Sequence, residues 1–158
     1  MDLAYSLNTF YFLLSGVLVM WMAAGFTMLE AGSVRSKNVI EILLKNVALY
    51  SVASLTFLIV GYSIMYGWGD IDTHSVYADF FFQVVFVATA MSVVSGAVAE
   101  RKKLWTFLLF AAIFTAIIYP IQGSWSWGGG WLSERGFFDF AGSGIVHMAG
   151  ATAALAGV

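Results

Sequence analysis

WGGGWLSERGFFDFAGSGIVH, residues 127–147, is the stretch on which the reading of this chain turns. Trp127 opens onto three glycines, a balanced Glu134/Arg135 pair follows, and Asp139 stands directly ahead of an uncharged run that carries one imidazole, His147. Three consecutive glycines are costly inside a helix, so Gly128 to Gly130 read as a tight turn outside the membrane. They lack the lysine and the context of a phosphate loop. Asp139 is placed to cap the first turn of the run behind it through exposed backbone N–H groups. The stretch therefore reads as the mouth of a strongly apolar helix.

Working outward, the chain has 158 residues, 61% of them hydrophobic and only 10% charged, with a mean hydropathy of +0.87. That composition lies outside the soluble range and places the chain in lipid. The charges leave uncharged spans at 3–29, 46–69, 80–99, 104–133 and 140–158. Each is long enough for a helix of about 20 residues across a hydrocarbon core of roughly 30 Å. An all-α, polytopic bundle of five transmembrane helices is expected. The start MDLAYSLN has no basic n-region, so the first span reads as a retained helix rather than a signal peptide.

The short loops set the orientation. Arg35 and Lys37 follow the first span and Arg101, Lys102 and Lys103 the third, whereas Asp70, Asp72 and Asp79 follow the second. The basic loops belong in the cytoplasm, which puts the N-terminus outside. Neither basic cluster has the aromatic interleaving or extent of a nucleic-acid surface. The absence of cysteine excludes disulfides and thiolate metal sites. Paired carboxylates, HExxH and a nucleophile elbow are missing too, and His74 and His147 fall in an outer loop and a later helix. Neither an enzyme nor a cofactor site is indicated.

Asn38 precedes Glu41 at the capping-box spacing, at the start of the second helix. Pro120 is expected to kink or end the fourth helix and leave Gln122 to Gly130 irregular. Ala88, Ser92 and Gly96 recur every four residues on the third helix, and Gly150 with Ala154 on the fifth. Both faces permit close helix packing.

The chemical candidates are few. Phe82 and Phe86 share a helix face beside Gln83 and either pack against lipid and core or close a narrow passage. Trp127 reads as an interfacial anchor or as an aromatic face for a small cation. Asp139 reads first as a cap, and its charge would also make an outer vestibule attractive to a cation. Counted from Asp139, His147 lies about 12 Å down the fifth helix. There an imidazole should face an interior or a cavity, as a satisfied structural group or as a hydrogen-bond station.

These residues resemble the N-terminal part of the Amt/Mep/Rh ammonium transporter family. The runs that carry the likeness are GFTMLEAGSVRSKN at 25–38, DFFFQVVF at 79–86, AER at 99–101 and the 127–147 stretch, which is the most specific. The resemblance implies that Phe86 is the outer gate phenylalanine, Trp127 the aromatic of the ammonium recruitment site, Asp139 its supporting aspartate and His147 the first of two pore histidines. It also implies a fold of about eleven helices in two inverted halves, usually trimeric. Residues 1–158 would then be the first five-helix part of a single membrane domain in the cell membrane, lacking the second histidine and the second gate residue.

The activity so implied is passage of ammonium, or methylammonium, by recruitment near Trp127, transit past Phe86, deprotonation, and movement through a dry pore. A dry path strips a metal ion of hydration without replacing it, whereas ammonium can surrender a proton and proceed as a neutral amine. Two alternatives stand beside it. One is an ammonium sensor with the same fold and a downstream signalling domain. The other is a non-transporting membrane assembly partner.

Overall fold

A computed structural model of the chain describes residues 2–158. Among them there are helices and no strands. Helix α1 covers Leu3–Ser33, its first turn closed by the Asp2 carboxylate, which accepts the Ala4 N–H. Helix α2 covers Ser36–Met65, α3 Val76–Ala97 and α4 Leu104–Ser124. A single turn, α5, spans Trp131–Glu134. The last helix, α6, opens as a wide π-helical turn over Ser143–Met148 and continues regularly over Ala149–Gly157.

Helices α1 to α4 have the length and hydropathy to cross a membrane. The fifth segment of the expected bundle is α6, shorter than the other four. At about 1.5 Å per residue, the 31 residues of α1 exceed a bilayer core of roughly 30 Å.

Helix α3 is the axis of the bundle and packs against α1, α2 and α6. Over its most apolar window 56% of its residues are buried, against 6% for α1, whose leucines, with Phe10, Tyr11 and Trp21, face outward. Lipid is as apolar as leucine, so helices associate here through close packing rather than through escape from water. The small residues supply it. A Cβ built on Gly150 would lie 2.6 Å from the carbonyl oxygen of Ala90, and one on Gly16 would lie 2.7 Å from the Phe81 ring. Ala88 and Ser92 are fully inside this packing, while Gly96, next in their series, is exposed at the helix end.

Three expectations are corrected. The capping box does not form: the Asn38 side chain makes no cap bond and instead donates to Glu100 Oε1 at 2.6 Å. Glu100 wins because it also receives the Arg35 backbone N–H, at 2.9 Å, and the guanidinium, so one carboxylate gathers both basic loops. These partners, the Arg35 amide first and the Asn38 amide next, hold its carboxyl below the usual range.

Pro120 does not end its helix, which runs on to Ser124. A π-helical turn over Phe114–Ile118 precedes it, closed by the Tyr119 N–H on the Phe114 carbonyl, and widens the backbone where the proline ring would crowd the preceding turn. A similar turn interrupts α2 over Phe57–Gly61. The two touch, with the hydroxyls of Thr56 and Thr115 at 2.7 Å.

The last helix begins at Ser143, not at residue 140, because Gly142 takes a left-handed conformation with φ 78° and turns the chain into the helix. His147 therefore lies only about 6 Å along α6, half the depth counted from Asp139.

Candidate functional site

At the end of the bundle where α4 meets α6, a cavity of about 250 Å³ is lined by Tyr66, Phe82, Gln83, Phe86, Trp127 and Phe140. The helical spacing of Phe82 and Phe86 puts both rings on one face of α3, edge to face with centroids 5.1 Å apart. Phe86 meets Trp127 in the same manner at 5.6 Å. Three of the residues singled out in the sequence thus share one aromatic wall, whose faces carry the negative lobe of the ring quadrupole.

The wall is held from two sides. Trp127 follows α4 in the glycine turn, where a Cβ on Gly128 would collide with the Met65 carbonyl oxygen and Gly129 adopts φ 77°. Its indole N–H donates to the main-chain carbonyl of Asp139 at 2.7 Å. The Asp139 carboxylate in turn accepts the N–H groups of Ser143, Gly144 and Ile145 at 3.0, 2.9 and 2.8 Å. It is a buried cap, the role read first for it, and its two oxygens are occupied by helix N–H groups rather than turned into the cavity. On the other side, Asp79 accepts the Tyr62 hydroxyl at 2.6 Å and the Gln83 amide at 3.4 Å, which orients Gln83 where it lines the cavity.

His147 stands apart from this group. Ile145 and Val146 take the buried side of the first α6 turn, and the imidazole is exposed on a face that no helix of this chain covers. The interior or cavity expected around it is not supplied by residues 2–158.

Sequence reading missed a second polar cluster, because it took Glu30 and Lys45 as span boundaries. Both lie within helices and are buried, their side chains 4% and 9% exposed. Glu30 Oε2 accepts the Lys45 ammonium at 3.0 Å, the Asn46 amide at 3.2 Å and the Ser95 hydroxyl at 3.1 Å. Lys45 also donates to the Ser95 carbonyl and lies over the Phe107 ring. The signal that could have found it is the fifteen-residue spacing of two opposite charges around the Arg35/Lys37 turn, which brings them back to the same depth on antiparallel helices.

The sequence profile of the Ammonium Transporter Family matches residues 10–158. The chain belongs to that family. The Ammonium transporter Amt2 of Archaeoglobus fulgidus is 44% identical over 170 residues, which is 92% of this chain and 36% of that protein. Ammonium transporter 3 of Dictyostelium discoideum is 37% identical over 166 residues, 97% of this chain and 38% of that one. A solved structure, the Sensor Amt Protein, superposes with a TM-score of 0.88 at 36% identity, over 97% of this chain and 44% of its own length. The chain thus spans less than half of these ammonium transporter relatives, and its helices follow the first half of an Amt fold.

Proposed function

We propose that the complete protein moves ammonium or ammonia across the cell membrane, with the N-terminus outside and the cavity walled by Phe82, Phe86 and Trp127 as the outer capture site. The observation that carries this reading is the Trp127 ring, fixed by its bond to Asp139 and packed edge to face on Phe86 in the wall of a cavity of ammonium-admitting size. A small cation gains by cation–π attraction there, and methylammonium would be held in the same way. Phe86 and Phe82 stand where they would block the way inward, and His147 would be the first polar station past them.

The exposed face that bears His147 would be covered by a second half of the membrane domain, with the whole assembled as a trimer in the bilayer. A neutral imidazole both donates and accepts, so it suits a path from which bulk water is excluded. Ammonium capture coupled to signalling is the second reading, favoured by the likeness to the Sensor Amt Protein.

His147→Ala in the complete protein should leave insertion and assembly intact while altering ammonium-dependent current or the preference for ammonium over potassium in liposomes. His147→Asp and His147→Glu should admit a more hydrated or charged species. Unchanged uptake, current and selectivity in an assembled His147→Ala protein would remove the histidine from the path. Tight ammonium binding without flux in the wild type would favour the sensor.

A further inference from the structure

The Asp79 carboxylate that orients Gln83 has another neighbour. His74, in the loop between α2 and α3, points its Nε2 at Asp79 Oδ1 from 3.6 Å, the same oxygen that accepts the Gln83 amide. That nitrogen is buried and makes no hydrogen bond. The ring is fixed: it stacks on Phe12 of α1 with centroids 3.9 Å apart and planes 12° from parallel, and its Nδ1 is 2.9 Å from the Thr73 hydroxyl. The loop itself is tied to α1 by Asn8 on the Thr73 carbonyl and by the Ser75 N–H on Thr9. The groups that α1 turns toward His74 are thus uncharged. Tyr62 of α2 holds the other Asp79 oxygen. Asp70 and Asp72 of the same loop are exposed and unpaired with it among the described residues.

We propose that His74 is a positioning residue for the capture site, setting its affinity according to the pH on the outer side. This rests on the reading of the Trp127 cavity as a place that takes ammonium. A histidine changes charge between about pH 5 and 8. In the neutral tautomer whose proton is on Nδ1, donated to the Thr73 hydroxyl, His74 leaves Asp79 Oδ1 to Gln83, whose amide is anchored and whose carbonyl oxygen can accept an N–H at the cavity wall. A second proton gives Nε2 an N–H whose one reachable acceptor is Asp79. The pair then closes, His74 competes with the long 3.4 Å bond of Gln83 for that oxygen, and the negative charge of Asp79 near the cavity is offset. Both changes disfavour a cation, so acid weakens capture.

The test uses the complete protein in liposomes, with ammonium-dependent current measured at external pH of about 5.5 and 7.5, at a fixed ammonium activity series. In the wild type, acidification should raise the half-saturating ammonium concentration about fivefold, the scale of one neighbouring charge in a partly solvated site. In His74→Gln the rise should vanish, and in His74→Lys the weak acid-like value should hold at both pH values.

Hydrogen exchange of the peptide covering residues 70–79, corrected for the intrinsic pH effect, gives a reading that needs no transport. It should slow at least about threefold at the lower pH in the wild type, and not in His74→Gln or Asp79→Asn. Absence of that slowing overturns the proposal, as does an affinity shift that survives in His74→Gln. Slowing without ammonium-dependent current at either pH would instead count against the capture site itself.

Discussion

The indole N–H of Trp127 lies 2.7 Å from the main-chain carbonyl oxygen of Asp139, and the carboxylate of that same aspartate caps α6. The aromatic wall and the last helix are therefore set by one residue. Replacing the ring separates its two duties. Trp127→Phe keeps an aromatic face and loses a hydrogen bond, a cost of about 1 kcal/mol in stability. Trp127→Leu also loses the face, worth about 0.5–2 kcal/mol for a cation, or roughly two- to thirtyfold in the half-saturating concentration. Uptake curves for the two variants in assembled protein would show it, and equal curves for Leu and wild type would exclude Trp127 from capture.

Asp139→Ala strands three N–H groups at the start of α6. The expected loss is about 2 kcal/mol, the upper end for a helix cap, with Asp139→Asn losing less because one acceptor oxygen remains. Thermal unfolding in detergent should rank wild type, Asn, then Ala. An Ala variant as stable as wild type would show that the cap contributes little.

The buried pair of Glu30 and Lys45 makes a sharper stability prediction. Lys45→Met leaves a buried carboxylate without its cation, at a cost of about 3–5 kcal/mol. Pairing it with Glu30→Gln should restore most of that, since the charge that was stranded is gone. The measurement is retention of folded, monodisperse protein on heating, and it fails if the double variant is no better than Lys45→Met.

Orientation is testable by labelling. A cysteine at Ser36, exposed at the start of α2, should react from the cytoplasmic side, and one at Asp72, exposed between α2 and α3, from outside. The reverse pattern would invert the topology.

Hydropathy made the bundle legible, since backbone N–H and C=O groups in lipid must pair within the chain and a continuous apolar run of about 20 residues does so as a helix. The aromatic wall was legible for a similar reason: the i, i+4 spacing of Phe82 and Phe86 fixes a shared helix face whatever surrounds it. What escaped the sequence depends on partners distant along the chain. Asn38 carries every mark of a cap, yet Glu100 draws it away. Glu30 and Lys45 look like span limits because a charge in lipid is costly, and only the fold shows that each removes the other's cost. His74 looks like a loop residue until Phe12 and Asp79 are seen on either side of it.

The paired wide turns over Phe57–Gly61 and Phe114–Ile118 give the bundle an angular index. Each adds a residue to one turn, so the helix beyond it is rotated by roughly 100° from where an uninterrupted α-helix would place it. Tyr62 reaches Asp79 from beyond the first, and the Trp127 turn is aimed at Phe86 from beyond the second. Forcing either turn into regular α-helix with all its residues kept would leave hydropathy, length and topology as they are, yet swing the far half of that helix out of phase and dismantle the cavity, whereas deleting the one added residue would close the turn and keep the phase.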